Sequence, residues 1–249
     1  MNKTIETILN HRSIRKYKNT PLSDDQIDTL VQSAQAASTS SFIQAYSIIG
    51  VKDPAKKKKL AELAGNQPYV AENGHLFVFC ADLHRHEILG TMEEVKLEDS
   101  LESTETFMVS LIDVALAAQN LVIAAESMGL GTCYIGGIRN NLEGVEEVLD
   151  IPKRVIPLFG LTVGYPAHES SQKPRLPKAH IYHEERYEQD EEKYLKELEA
   201  YNEVTSSYYK ERTGGKREDT WTAQMANMLH TPKRTYMKEY IEKKGFSNK

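Results

Sequence analysis

The sequence has little cysteine and no stretch that resembles a signal peptide. Only two cysteines occur among 249 residues, Cys80 and Cys133, and both lie in apolar segments. This usage favours buried free thiols in a reducing compartment over a disulfide framework, although a single bridge between the two stays open. The first twelve residues, MNKTIETILNHR, lack an apolar centre. We therefore expect a soluble, cytoplasmic protein.

The sequence also has no excess of basic charge. Its 31 lysines and arginines are outnumbered by 36 aspartates and glutamates, for a formal net charge of −5. Such a balance provides no general attraction to nucleic acid or to an anionic membrane, so any anion site must be local. One local cluster of basic residues is NHRSIRKYK at 10–18. Either it is a solvated basic face or it binds an anion.

Two common kinds of cofactor site are missing. The only candidate dinucleotide fingerprint, GLGTCY at 129–134, lacks the third glycine and precedes a predicted strand instead of following one. His84 and His86 are two residues apart, point in different directions on a helix and have no partner at a zinc-like spacing. We expect neither a Rossmann site nor a metal site.

Hydrophobic periodicity and capping signals predict alternating helices and strands. Ser23 and Gln26 form a capping-box pattern, and Asp53 followed by Pro54 starts a Lys-rich helix that runs to about Ala64. Residues 64–70 are predicted to form a loop. Strands are predicted at 46–51, 75–81, 131–135 and 155–163. Further helices are predicted at 4–10 and 142–149. The strand at 75–81 is expected to be central because it is apolar on both faces.

A long helix is predicted from about Ser103 to Met128, ended by Gly129 and too polar to span a membrane. Beyond Tyr165 the sequence becomes polar, with an extended loop at SSQKPRLPK followed by helical segments rich in Glu, Lys and Tyr. The order of elements predicts an α+β fold, a single domain over 1–249. From about residue 190 it carries a helical C-terminal extension that wraps the core or a partner subunit.

Arg12, Ser13 and Arg15 place two guanidinium groups and a hydroxyl within four residues. This combination suits the three oxygens of a phosphate monoester. Charged runs at helix ends are mostly solvated, so the spacing alone is weak support. Other segments must contribute if this is a binding site.

Six segments, in order along nearly the whole chain, resemble the nitroreductase family. They are HRSIRKY, AASTSSFIQAYSII, GNQPYV, AAQNLVIAAESMGLGTCYIGGIRNN, IPLFGLTVGYP and KPRLPK. The likeness is greatest to the NADPH-linked flavin and nitro reductase branch of that family. It implies a nitroreductase-like α+β fold with a central mixed sheet flanked by helices. It also implies a homodimer with FMN held at the subunit interface, without a Rossmann fingerprint.

The resemblance implies which residues bind FMN. Those expected at the phosphate and ribityl chain are His11, Arg12, Ser13, Arg15 and Arg175. Those expected to line the flavin from the dimer side are Ser38, Thr39, Ser40 and Ser41. Those expected at the isoalloxazine ring are Gln67, Tyr134, Ile135, Gly136, Gly137 and Lys173. Each segment could also be an ordinary helix end, turn or solvated linker, and only their agreement favours a flavin site.

The implied activity is that of an FMN-dependent NAD(P)H oxidoreductase with a preference for NADPH. It would reduce free flavin, nitroaromatics or quinones by two-electron ping-pong hydride transfer. Flavin N5 would be the reactive atom, so no catalytic side chain is expected, and Lys173 would stabilise the charge that reduction adds to the ring.

Two further groups of residues are assigned to substrates. Those expected at the 2′-phosphate of NADPH are Arg212, Lys216 and Arg217; those expected at the oxidant are Ser41, Phe42 and Arg234. NADH use stays open, as do an oxidase that passes electrons mainly to oxygen and a non-catalytic flavin or nucleotide sensor. No nucleic-acid or membrane partner is expected.

Overall fold

The structure, a computed structural model, describes residues 1–247 and 249. The chain divides into two compact units. Unit 1 comprises residues 1–170 and 234–249, and unit 2 comprises residues 171–233. The single domain over 1–249, with an extension from about residue 190, therefore stays a prediction.

A four-stranded sheet forms the centre of unit 1. Its strands are β1 (Tyr46–Val51), β2 (His75–Asp82), β3 (Gly131–Ile135) and β4 (Val155–Gly164). The order is β1-β2-β4-β3, and neighbouring strands are antiparallel. An isolated parallel bridge between Ser13 and Thr132 adds a parallel component beside β3, as in a mixed sheet. Every residue of β2 is buried, which confirms that this strand is central.

Eight α-helices of unit 1 precede residue 170. They are α1 (Lys3–Leu9), α2 (Asp24–Gln35), α3 (Pro54–Leu63), α4 (Pro68–Ala71), α5 (His84–Met92), α6 (Glu98–Leu101), α7 (Thr104–Ser127) and α8 (Leu142–Leu149). Ser23 and Gln26 form the predicted capping box of α2, and the Asp53 side chain caps α3. Gly129, with φ +76°, follows α7, as expected for a residue that ends a helix.

The loop prediction for 64–70 is wrong in part, because α4 begins inside that segment. Gly65 and Asn66 have positive φ and turn the chain, after which Pro68 starts the helix. Proline suits this position because its fixed φ matches a first helical turn. The sequence patterns do not predict α5 and α6, and both start without a side-chain cap.

Helix α7 lies in the core of unit 1. Its residues Ala117, Ala118 and Leu121 pack in one apolar cluster with Phe77 and Phe79 of β2. The prediction that this helix is too polar to span a membrane is wrong, since its most apolar window has a mean hydropathy of 1.9. Length and composition alone are weak support for a membrane span, and packing against the sheet accounts for the apolar composition of the buried face.

Unit 2 is mainly helical, with α9 (Glu191–Thr213) and α10 (Trp221–Leu229). The two helices are separated by a turn at Gly214 and Gly215, both with positive φ. Tyr201 of α9 packs edge-on against Trp221, and its hydroxyl donates to the carbonyl of Pro174 over 3.1 Å. The proline-rich segment is thereby attached to α9.

The C-terminal residues return to unit 1 through α11 (Met237–Lys243), and Phe246 is buried in the core. Arg154, only 1 % exposed, anchors this return. Its guanidinium donates to Glu87 over 2.7 Å, to the Gly245 carbonyl over 2.7 Å and to Glu102 over 3.4 Å. The buried charge is therefore paired and hydrogen-bonded on several sides, as a buried cation requires.

Candidate functional site

The basic segment after α1 lies in an extended conformation along the outer edge of β3. The Ile14 N–H donates to the Thr132 carbonyl over 2.8 Å. A Cβ atom on Gly131 would lie 2.6 Å from Cγ1 of Ile14, so only glycine permits this close approach. The sheet edge therefore orients the basic side chains.

Neighbouring side chains of an extended segment face opposite sides, and this separates the arginines. Ser13 and Arg15 lie beside the thiol of Cys133, and both oppose the rise that burial causes in the pKa of that thiol. The Arg15 guanidinium lies 6.0 Å from the centre of the Tyr69 ring. Arg12 instead donates to the Ser170 carbonyl over 3.3 Å and lines a cavity of about 920 Å³ beside α1 and the end of α7. Within one chain, the structure groups Ser13 with Arg15 and not with Arg12.

Gln67 and Gly137 are in close contact. The Gln67 amide donates from Nε2 to the Ala64 carbonyl over 2.6 Å, and the Tyr69 hydroxyl donates to Oε1 of Gln67. A Cβ atom on Gly137 would lie 2.4 Å from the Ala64 oxygen and 2.5 Å from Gln67 Nε2. Arg15, Gln67 and Gly137, which are far apart in the chain, therefore form one cluster joined through Tyr69.

The sequence reasoning missed Tyr69, although it lies inside the motif GNQPYV. Burial raises the pKa of this phenol, and the hydrogen bond and charge of Arg15 oppose that rise. Burial also raises the pKa of the Cys133 thiol, again opposed by Arg15. Both groups are therefore neutral near pH 7, so Tyr69 donates a hydrogen bond and Cys133 is not a thiolate nucleophile. Cys80 and Cys133 are both buried free thiols, as predicted.

His11 is oriented by a residue that the sequence reasoning also missed. Its Nδ1 lies 2.7 Å from Oε1 of Glu126, near the end of α7. The buried Thr132 hydroxyl donates to the same oxygen over 2.9 Å. Because a carboxylate accepts hydrogen bonds, Nδ1 carries the proton and Nε2 is free to face a ligand. No local pattern could reveal a pair that is 115 residues apart.

The serine-rich segment 38–41 leads into a strained loop. Ser41, Phe42 and Gln44 have φ values of 48°, 61° and 56° although none is glycine. The Phe42 side chain is 81 % exposed. Among the described residues, no hydrogen bond joins Ser38, Thr39, Ser40 or Ser41 to the cluster of Arg15, Gln67 and Gly137.

The end of β3 leads into the turn that contains Gly136 and Gly137. Tyr134 is the exposed residue of an otherwise buried strand, and its ring packs edge-on against Phe159 at 5.3 Å. Its hydroxyl donates to Gln119 over 3.3 Å. Ile135 is 1 % exposed, so this residue can offer a ligand only its backbone.

Arg234, a predicted substrate contact, is hydrogen-bonded to the same turn. Its Nε and Nη2 atoms donate to Oδ1 of Asn140 over 3.0 and 2.9 Å. The Tyr236 hydroxyl donates to the Arg139 carbonyl over 2.7 Å. Within residues 1–247 and 249, no hydrogen bond links Arg234 to Ser41 or Phe42, the other two predicted substrate contacts.

The remaining predicted residues belong to unit 2. Lys173 is exposed, with Nζ 5.9 Å from the centre of the Tyr209 ring, and Arg175 donates to the Lys173 carbonyl over 2.7 Å. This carbonyl contact leaves both charges available to an anion.

The basic side chains in the last turn of α9 and in the loop after it are only partly neutralised by acidic neighbours. Arg212 donates to the Tyr208 hydroxyl over 2.8 Å, a neutral partner. Arg217 instead pairs with Asp219 at 2.6 Å. Over the part of the chain that the structure describes, no ion pair involves Arg212 or Lys216. These two residues therefore keep a charge that a phosphate could use.

Known proteins match the chain over nearly its whole length. A family model described as "Nitroreductase family" matches residues 8–165, and one described as "Nitroreductase family, C-terminal domain" matches residues 173–249. The FMN reductase (NADPH) of Bacillus subtilis (strain 168) is 59 % identical over 247 residues, or 99 % of each chain.

Solved structures agree with these matches. NfrA1 of B. megaterium has a TM-score of 0.98 and 67 % identity, covering 99 % of this chain and 100 % of that one. The NADPH:FMN oxidoreductase from Vibrio harveyi, complexed with NAD⁺, has a TM-score of 0.89 and 37 % identity, covering 100 % of both chains.

Proposed function

The chain belongs to the nitroreductase family, and on this premise we propose that it reduces free flavin, nitroaromatics or quinones in a two-electron ping-pong reaction that prefers NADPH. More coarsely, it is an oxidoreductase with FMN as cofactor and NADPH as electron donor, in line with the relatives that match it from end to end. When bound, FMN supplies the carrier that takes a hydride from the donor and passes electrons to the oxidant. The observation that carries the proposal is the cluster of Arg15, Gln67 and Gly137.

The residues of this cluster fit the cofactor. A primary amide has two N–H donors and a carbonyl with two lone pairs, and the contacts to Ala64 and Tyr69 use one of each. Gln67 therefore keeps one donor and one acceptor for the polar edge of a ring. The Arg15 guanidinium and the Ser13 hydroxyl offer charge-assisted and neutral hydrogen bonds to phosphate oxygens.

The remaining ligands are proposed by family likeness and by their chemistry. Tyr134 exposes an aromatic face at the end of β3, and the turn at Gly136 and Gly137 offers backbone amides. Lys173 and Arg175 are exposed cations of unit 2. We assign Lys173 to the N1 edge of the ring, where reduction increases negative charge, and Arg175 to the phosphate.

The NADPH preference is proposed to lie with Arg212, assisted by Lys216 and Arg217. Replacement of Arg212 by alanine should raise KM for NADPH about tenfold and leave KM for NADH nearly unchanged, since a charge-assisted bond contributes roughly 1.5–3 kcal/mol. Lys210→Ala is the matched control, because Lys210 lies on the same helix and already pairs with Glu218 at 2.8 Å. An equal rise for both coenzymes would refute the assignment.

A homodimer is proposed because unit 1 leaves apolar helix faces exposed. Helix α1 is amphipathic yet buries none of its residues. On α7, Met108, Ile112 and Leu116 recur every fourth residue and are 51, 48 and 43 % exposed. A second copy of the chain would cover both faces. The mass in solution should be twice 28.2 kDa, and Ile112→Arg should yield monomers that bind FMN weakly.

The catalytic proposal is tested by reduction of the FMN-loaded protein. Anaerobic NADPH should bleach the flavin absorbance, and a quinone, a nitroaromatic or free flavin should restore it. Double-reciprocal plots against both substrates should be parallel, as in ping-pong kinetics. A flavin that NADPH does not bleach would indicate a sensor, and restoration by oxygen faster than by any organic oxidant would indicate an oxidase. The cytoplasmic location stays a prediction.

A further inference from the structure

Helix α7 carries a buried carboxylate that the proposed chemistry does not use. Asp113 is 0 % exposed. Its Oδ1 accepts the Ser40 N–H over 2.9 Å, and its Oδ2 accepts the Ala45 N–H over 3.0 Å. Burial of a carboxylate is unfavourable unless hydrogen bonds compensate it, and here two backbone donors do so. The N–H groups of Ser40 and Ala45 lie on either side of the strained loop at 41–44.

A second helix holds the middle of the same loop. His86 of α5 has Nε2 2.8 Å from the Ile43 carbonyl oxygen. A carbonyl can only accept, so the imidazole donates from Nε2. Asp113 therefore fixes both ends of the loop, and His86 fixes its centre from a different element. Left-handed conformations at non-glycine residues persist only where the surroundings determine them, and these anchors do that.

The loop presents groups that suit a flat aromatic molecule. Phe42 is 81 % exposed, and the neighbouring Ser41 is also exposed. A fixed, solvent-facing phenyl ring can stack on or meet the edge of another ring, whereas a mobile ring would lose entropy when it did so. The adjacent hydroxyl can donate to a nitro or carbonyl oxygen.

We propose that Asp113 is a positioning residue that holds Phe42 and Ser41 for planar aromatic oxidants, with His86 as its second support. The inference rests on the proposed function, because it concerns the oxidant of that same reaction. It makes the affinity for the oxidant depend on a residue that touches neither oxidant nor cofactor.

The first test compares two variants of α7 in the FMN-loaded full chain. Asp113→Asn keeps the size but turns an amide N–H₂ toward one of the two backbone donors. KM for a quinone should rise about fivefold, the effect of losing one hydrogen bond of average strength that holds the loop. The kcat at saturating quinone and the rate of bleaching by NADPH should stay within about twofold. Ser110→Ala is the control, because Ser110 is equally buried and lies one turn away from Asp113. Among the described residues its hydroxyl bonds only to the Phe107 carbonyl, so the two kinetic constants and the bleaching rate should be unchanged.

The second test uses the other support and separates positioning from stability. His86→Ala removes the donor to Ile43 and should raise KM for the quinone severalfold, whereas His86→Gln keeps an N–H donor and should restore most of it. In a Phe42→Ala background, Asp113→Asn should have little further effect, because the ring that it positions is gone. The comparison of His86→Ala with His86→Gln still tests the inference if Asp113→Asn does not fold.

Three results would overturn the inference: an unchanged KM for the quinone in Asp113→Asn and His86→Ala, an equal rise in KM for NADPH, or a His86→Gln variant as impaired as His86→Ala. Failure of the proposed function looks different. In that case the wild-type protein itself is not bleached by NADPH, and both proposals fall together. Normal wild-type turnover with unaffected variants overturns the inference alone.

Discussion

Replacement of Gly137 by alanine tests whether the residues brought together around Gln67 act as one site. The new methyl carbon would lie 2.4 Å from the Ala64 oxygen and 2.5 Å from Gln67 Nε2. Contacts of Cβ below 3.0 Å essentially never occur in real structures, so the new methyl carbon and the Ala64 oxygen must separate by at least 0.6 Å, the difference between 3.0 and 2.4 Å. The Gln67 amide is displaced as well, and its bond to Ala64 is lost or lengthened.

The expected losses of stability and of FMN affinity follow from these contacts. Insertion of a methyl group into a packed site costs roughly 1–3 kcal/mol. Loss of the bond from Gln67 to Ala64 adds about 0.5–1.5 kcal/mol. A total of about 1.5–4.5 kcal/mol corresponds to a fall in Tm of about 3–18 °C for a chain of this size. The FMN dissociation constant should rise about two- to tenfold, since a misplaced Gln67 forfeits about one hydrogen bond to the ring.

The assay is a titration of FMN-free protein, followed by flavin fluorescence quenching, together with thermal unfolding with and without FMN. Gly136→Ala is the matched control, because its Cβ would meet nothing nearer than Nη2 of Arg139 at 3.4 Å, an ordinary contact. Its Tm should stay within about 2 °C of the wild type. If Gly137→Ala had the same Tm and FMN affinity as the wild type, the cluster would not be a packed unit and the site drawn from it would be wrong.

Three other predictions follow from contacts outside this cluster. Glu126→Gln removes the carboxylate that orients His11, and FMN titration should show a dissociation constant raised severalfold; unchanged affinity would show that His11 does not bind the phosphate end. Burial, with the charges of nearby lysines, lowers the pKa of His75 from 6.5 to about 4. Protonation therefore favours the unfolded chain, and denaturant unfolding should show about 3 kcal/mol lost as pH falls from about 6.5 to 4, a slope that His75→Gln should reduce. Arg154→Met leaves carboxylates without their partner and should cost about 3–5 kcal/mol, whereas Lys243→Met, at an exposed pair, should cost under about 1 kcal/mol; equal melting temperatures would contradict this reasoning.

The helix and strand positions were largely predictable because they depend on neighbours in the chain. The capping box of Ser23 and Gln26, the N-cap at Asp53 and the left-handed Gly129 each act within one helical turn. The same holds for β2, where continuous apolar character indicates a strand covered on both faces. By contrast, α5 and α6 have no capping side chain and were missed.

The prediction that α7 is too polar to span a membrane was wrong for a related reason. Composition alone cannot distinguish a helix that is apolar because it lies in the core from one that is apolar because it lies in lipid. Packing against β2 distinguishes them, and that contact joins segments about 40 residues apart.

The sequence by itself determined the family, the order of the four strands and the segments that supply the candidate ligands, since motifs and caps are local patterns. Only the tertiary structure decided which of those ligands share a surface. It grouped Arg15 with Gln67 and Gly137, turned Arg12 toward another cavity, and paired His11 with Glu126 and the 41–44 loop with Asp113. Such pairings depend on which side of the sheet edge a residue faces and on which helix packs there, and no local pattern carries that information.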